Sequence, residues 1–213
     1  MDRSEVGLII PALNEAASIG AVVNRAKNFG IVIVVNDGST DATADVARDA
    51  GAIVVNHESN QGYDAALSSG FAKGATLGMK AFITLDADGQ HDPDLVARFV
   101  KEISSGVDLV LGVRDRRPRL SEHLFALYSR WRFGVRDPLC GMKGYSAKLY
   151  QDIGFFDSYG SIGTQLALTS LRKGYKFSEV EFKVRDRLDS PRFGRLIRAN
   201  LKIFRAMFKD ILS

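Results

Sequence analysis

At 213 residues, 46% apolar and 25% charged, the chain can build one packed core and is too apolar to be disordered; its single cysteine, Cys140, excludes an internal disulfide and a cysteine-based zinc site. The apolar runs are strand-sized, far below the ~20 residues of a membrane span, and Met1 to Glu5 is short and polar, so neither a bilayer crossing nor export is expected. The net charge of +4 is unevenly spread, with cationic stretches at 114–136 and 185–213 beside an acidic remainder, which points to an anionic ligand or surface.

In chain order, short β-branched runs alternate with helix-like stretches. Val6 to Ile10, Ile31 to Val35, Ala52 to Val55, Ala81 to Leu85 and Val107 to Leu111 read as strands. Glu15 to Phe29, Asp41 to Ala50, Tyr63 to Leu77 and Pro93 to Ser104 read as helices, each opened by a cap or a first-turn Pro. That alternation marks βαβ units, so the fold class is α/β, with an open, mostly parallel sheet covered by helices on both faces. No repeat, low-complexity segment or long linker divides the chain.

Ligands of such sheets bind beyond the carboxyl ends of the strands. Three clusters leave those ends and should converge on one rim: Pro11-Ala12-Leu13-Asn14-Glu15, Asn36-Asp37-Gly38-Ser39-Thr40-Asp41 and Asp86-Ala87-Asp88-Gly89-Gln90-His91. In Asp86-x-Asp88-x-Gln90 alternate residues point the same way, so two carboxylates and one amide oxygen can meet a hard cation, Mg²⁺ or Mn²⁺. Such a cation would neutralise a diphosphate and the charge that grows on it as a leaving group. A calcium loop does not fit, because the sixth position from Asp86 is His91 rather than Gly and the twelfth is Ala97 rather than Glu. A plain Asp/Gly turn before a helix capped near Asp92 fits as well and stays open at this point. Asp37 can accept from a base N–H or a ribose hydroxyl, and Gly38 lets backbone approach a ligand, although the same segment also reads as a turn capped at Thr40 or Asp41. Neither G-x-G-x-x-G nor G-x-x-x-x-G-K follows the first strand, which argues against NAD enzymes and NTPases.

With Asn60-x-Gly62 and Asp137-Pro138-x-Cys140-Gly141 added, five motifs in order resemble those of inverting family-two glycosyltransferases. The resemblance is closest to the dolichol-phosphate mannose synthase and polyprenyl-phosphate glycosyltransferase group and runs from about Val6 to Phe193. It implies a GT-A type nucleotide-diphospho-sugar transferase fold, with residues 1–193 as the glycosyltransferase domain and 194–213 as a basic amphipathic helix packed on it or appended to it. It also implies that Pro11, Ala12, Asn14, Glu15, Asn36, Asp37 and Gly62 bind a GDP- or UDP-sugar, and that Asp86, Asp88 and Gln90 hold the metal and the diphosphate. Arg114 takes the position of the group's acceptor-phosphate ligand, with Arg130 or Arg132 as the second Arg and Asp137 beside them. Arg187-Leu188-Asp189-Ser190-Pro191-Arg192 resembles a loop that closes over the donor diphosphate, so Asp88, Arg114 and Arg187 are the implied catalytic groups and Arg192 a donor contact. Ser190 stands where Gly is usual, Asn36 replaces the first Asp of an Asp-Asp-Gly-Ser motif, and Gln165 stands where relatives often carry Glu; the last two each remove a negative charge.

The implied reaction is in-line transfer of a hexose with inversion to a polyprenyl phosphate. A phosphate acceptor needs little help from a base, because its second pKa is about 6. A saccharide hydroxyl as acceptor would need one, with Asp137 as the fallback, and the Asn36 and Gln165 departures leave a catalytically silent scaffold as a further reading. From Arg195 to Ser213, Ile197, Leu201, Phe204, Phe208 and Ile211 form one helical stripe, and Arg195, Arg198, Lys202, Arg205 and Lys209 another. Such a helix suits an anionic lipid interface, a membrane partner subunit or the domain core; Leu124, Phe125, Leu127, Tyr128 and Trp131 pose the same choice. A cytoplasmic protein, peripheral at the cytoplasmic face of a membrane, is expected. Nucleic acid is not, since the basic stripes lack interleaved aromatic platforms.

Overall fold

The computed structural model describes residues 1–116, 119–184 and 196–212, with the backbone alone at 196–199. Its described strands are β1 (Val6–Ala12), β2 (Ile31–Asp37), β3 (Ile53–His57), β4 (Ala81–Thr84), β5 (Leu109–Arg114), β6 (Lys143–Ser146) and β7 (Phe177–Phe182). They form one sheet in the order β3-β2-β1-β4-β6-β5-β7. Pairing is parallel except at β6, which runs antiparallel to both β4 and β5.

The described helices are α1 (Ile19–Ala26), α2 (Thr43–Asp49), α3 (Tyr63–Thr76), α4 (Val96–Ser104), α5 (Leu120–Phe133), α6 (Ala147–Ile153), α7 (Gln165–Arg172) and α8 (Leu196–Ile211). Strand residues alternate between two apolar layers, as a pleated sheet buried on both faces requires. Leu8, Ile10 and Ile83 pack with Val22 and Val23 of α1 and Phe99 of α4, whereas Ile9 and Phe82 pack with Phe71 of α3, Leu149 of α6 and Leu166 of α7. The sheet is therefore open, mostly parallel and covered on both faces.

Helix α1 starts at Ile19 rather than Glu15, and the residues before it are bonded to the next loop. Asn14 N donates to Ser39 Oγ (2.9 Å), Glu15 N to Thr43 Oγ1 (2.8 Å) and Ala16 N to Asp41 Oδ2 (3.2 Å). These bonds tie the loop after β1 to the loop after β2. Before α4, Asp92 caps a 3₁₀ turn, Pro93–Leu95, by accepting from Asp94 N at 3.2 Å.

Helices α5 and α8 lie against each other, with Phe125, Leu168, Ile203 and Ala206 buried between them and α7. Asp210, 2% exposed, locks α8 in place by accepting from Arg172 and from Tyr128 Oη (2.9 Å). Phe125 and Tyr128 thus face inward, while Leu120, Leu124, Leu127 and Trp131 of α5 and Leu201, Phe208, Ile211 and Leu212 of the last segment stay exposed. Among the described residues no helix is long and apolar enough to cross a membrane.

Candidate active site

The carboxyl ends of β1, β2 and β4 open onto a cavity of about 390 Å³ lined by Pro11, Ala12, Glu15, Asp37, Gly62, Asp86 and Asp88, with Leu13, Asn60 and Tyr63 among its other walls. Its shape is fixed by side chain to backbone bonds. Asp37, 4% exposed, accepts from Gln61 N and Gly62 N (both 2.8 Å) and meets His57 Nδ1 at 2.7 Å, so it folds the 60–62 loop over the end of β2. Gly38 has φ +70°, and a Cβ there would lie 2.6 Å from Asn60 N, so only glycine fits this approach of two loops. Asn14, at φ 54°, accepts from Thr40 N at 2.8 Å and stitches the first loop to the second. Neither Asn14 nor Asn36 is among the lining residues: Asn36 donates to Asn56 Oδ1 (3.0 Å) and accepts from Ser39 N (3.3 Å).

Asp86 stands where this cavity meets a second one of about 440 Å³, and with Tyr63 it lines both. Asp88 faces the first cavity and Gln90 the second; Gln90 N donates to Asp88 Oδ1 at 3.0 Å. His91, 4% exposed, receives Asp86 N–H on Nδ1 (3.2 Å), which places its own proton on Nε2. Tyr63 Oη lies 3.4 Å from Asp86 Oδ1, and loss of hydration, reinforced by the charge of Asp86, pushes the phenol pKa well above its usual value, so Tyr63 stays a donor. A Cβ on Gly141 would lie 2.4 Å from Asp86 Oδ2, so the carboxylate rests on bare backbone. Behind it Lys143, 3% exposed, donates to Cys140 O at 2.6 Å, and burial lowers its pKa.

The donor chemistry suits a small hard cation. Among the described residues no three His, Cys, Asp or Glu gather around a metal position, but two carboxylates on one cavity wall leave coordination places for phosphate oxygens, the arrangement Mg²⁺ and Mn²⁺ favour in nucleotide sites.

The second cavity is cationic. Arg114, Arg116 and Arg119 line it together with Glu122, His91, Gly141 and Ile162. Arg114 is held by Asp137, which is 1% exposed and accepts from Nε (2.8 Å), from Nη2 (2.9 Å) and from the Arg114 backbone N–H (3.1 Å). Burial works against the charge of Arg114, but these bonds outweigh it and its pKa is raised. Glu122, 3% exposed, accepts from Arg119 Nη1 at 2.7 Å and lies 3.7 Å from Arg114 Nη2. Its Oε2 and the Arg119 Nε are buried without a hydrogen-bond partner among the described residues.

The structure thus brings Asp86, Asp88, Gln90 and Arg114 around one junction and separates other expected groups from it. Asp137 buttresses Arg114 and lines neither cavity. Arg130 is exposed on α5 and lines neither cavity, and Arg132 stacks on Phe133 (5.2 Å to the ring centroid) beside a different pocket, because both sit at the far end of the helix that Arg119 starts. Arg187 and Arg192 lie outside the described residues. Gln165 is turned to Ser158, accepting from its N–H at 2.7 Å. Arg116, Arg119, Tyr63 and His91 were not among the expected site residues. The basic run from Arg114 signalled the first two, but its spacing does not say which Arg border the cavity.

Against known proteins, residues 8–168 match the family model for glycosyl transferase family 2. A dolichyl-phosphate hexose transferase of Haloferax volcanii is 28% identical over 198 residues, 86% of this chain and 84% of that protein. A polyprenol monophosphomannose synthase of Mycolicibacterium smegmatis is 28% identical over 205 residues, 84% of this chain and 77% of that protein. The fold superimposes on glucosyl-3-phosphoglycerate synthase of Mycobacterium tuberculosis, solved with Mn²⁺, UDP and glucosyl-3-phosphoglycerate, with a TM-score of 0.80 and 24% identity, covering 99% of this chain and 79% of that one. A matching family model over most of the chain, on an α/β sheet whose strand ends carry the paired cavities, makes this protein a glycosyltransferase of the GT-A fold and a member of glycosyl transferase family 2.

Proposed function

We propose that the protein moves a hexose from a GDP- or UDP-sugar to a polyprenyl phosphate with inversion, using Mg²⁺ or Mn²⁺ held by Asp86 and Asp88. The observation that carries this reading is the junction itself: a carboxylate-lined cavity and an arginine-lined cavity share Asp86 and Tyr63. A donor diphosphate in the first and an acceptor phosphate in the second would face each other across the sugar, the geometry in-line displacement needs. The cation supplies charge stabilisation for the departing diphosphate. The chain's own residues do the rest. Arg114, Arg116 and Arg119 bind the acceptor phosphate, and the unpartnered Arg119 Nε offers it a buried donor. Asp137 orients Arg114 and is spent on that bidentate pair, so it is not available as a base for a hydroxyl acceptor. The names of the Haloferax and Mycolicibacterium relatives support a lipid-phosphate acceptor, and the Mn²⁺ and UDP of the mycobacterial synthase support the donor side.

A lipid-linked acceptor gives the exposed apolar stripe of α5 an occupant. Leu120, Leu124, Leu127 and Trp131 recur at spacings of four, three and four, flanked by Arg130 and Arg132, on the helix whose first residues border the arginine cavity. We assign this stripe to the headgroup region of an anionic bilayer at the cytoplasmic face. The decisive experiment incubates the protein with labelled GDP-mannose, UDP-glucose or UDP-N-acetylglucosamine and vesicles with or without polyprenyl phosphate, in Mn²⁺ or EDTA. Label entering the lipid phase only with both polyprenyl phosphate and metal is the expected result. Transfer to soluble saccharides without the lipid, or metal-independent transfer, overturns the proposal.

A further inference from the structure

By its sequence, the basic stripe of α8 suits an anionic lipid surface; in the structure part of it turns toward the active site. The setting of the helix is fixed by Ile203 and Ala206 in the core, by Asp210 under Arg172, and by Lys209, whose Nζ donates to Tyr159 O (3.2 Å) and lies 4.8 Å from the Tyr159 ring centroid. With that rotation Lys202 and Arg205, three residues apart, line a third cavity of about 500 Å³ beside Asp64, Asp157 and Tyr159. Lys202 reaches further, into the wall shared with the 390 Å³ cavity that holds Glu15, Asp37, Asp86 and Asp88, where it is the single cation among the described lining residues. Among the described residues it makes no ion pair.

We infer that Lys202 binds the phosphates of the donor nucleotide from the C-terminal helix. The assignment rests on reading the 390 Å³ cavity as the donor pocket. A diphosphate gains negative charge when its bond to the sugar breaks, and two carboxylates already draw on the charge of a bound dication. An ammonium on a flexible four-carbon stem supplies the missing positive charge and three donors without demanding a fixed plane. Lys202 also explains why a helix so firmly keyed to α5 and α7 belongs to the catalytic unit: removing it would open the wall of the pocket.

Calorimetric titration of the full chain with GDP and with UDP, each in Mn²⁺, identifies the nucleotide and sets the parent affinity. Lys202→Gln is expected to weaken that diphosphate about tenfold and leave the matching nucleoside unchanged, while Lys202→Arg stays within about threefold of the parent. Binding of the diphosphate to Lys202→Gln at parental affinity overturns the assignment and leaves the glycosyltransferase reading intact. Equal losses for nucleoside and diphosphate also overturn it, because the helix would then act as a wall and not through its charge. A parent that binds neither nucleotide overturns the donor-pocket reading and this assignment with it.

Discussion

Gly141 leaves the Asp86 carboxylate no slack: a methyl group there would sit 2.4 Å from Oδ2 and 2.7 Å from Oδ1. Gly141→Ala is therefore expected to push Asp86 off the junction and cut kcat/KM roughly 100-fold, the cost of misplacing a reacting group by about 1 Å. The same loss is expected for Asp88→Asn, and a Gly141→Ala enzyme with parental kcat/KM would show that Asp86 has no fixed role. The arginines divide into two kinds. Arg114→Ala strands a buried Asp137 and should cost about 3–5 kcal/mol of stability in urea unfolding, besides any loss of activity. Arg116, whose side chain is 76% exposed, should leave stability within about 0.5 kcal/mol on replacement by Ala, yet raise the KM for the proposed lipid acceptor. An unchanged acceptor KM in Arg116→Ala would remove it from the acceptor site.

At the scale of elements, α5 serves two environments at once. Phe125 is fully buried beside Leu168 and Ile203, so Phe125→Ala should destabilise by about 3–5 kcal/mol, whereas Leu127 and Trp131, 67% and 80% exposed, hold no part of the core. The pair Leu127→Glu and Trp131→Glu is expected to abolish sedimentation with anionic vesicles while leaving the thermal midpoint unchanged; vesicle binding that survives both changes would deny the helix a lipid contact. The sequence signals this helix by its apolar spacing but not which residues face in, because Phe125 and Tyr128 differ from their exposed neighbours only by what α7 and α8 place opposite them. The first five strands are readable because each carries a short apolar run, and all but the edge strand β3 are buried along most of their length. β6 is four residues, one of them a buried Lys and one a Gly, and β7 alternates Phe-Ser-Glu-Val-Glu-Phe at a sheet edge, so neither carries that signal. At the site, the placing of Asp86, Asp88 and Gln90 at the cavity walls was legible from their position after β4. That Arg116, Arg119 and Lys202 line the cavities was not, since it depends on how distant segments seat.

For the whole molecule, Cys140 offers a built-in reporter. It is fully buried, and loss of hydration pushes its thiol pKa up to about 12, so thiol reagents at pH 8 should label it only through global opening. Labelling should slow further when nucleotide and Mn²⁺ are added, as a ligand of the native state lowers the open population; labelling as fast as that of a free peptide thiol would mean the floor of the site opens locally. The sheet's one antiparallel member has a broader effect. By threading between β4 and β5, β6 holds the strand that delivers Asp86 and the strand that delivers Arg114 two ladder spacings apart, about 10 Å. The sugar of the transfer proposed above would have to fit within that spacing. Main-chain hydrogen bonding, rather than any side chain, therefore sets the distance between the strand end that carries Asp86 and the strand end that carries Arg114, whatever the loops above them hold.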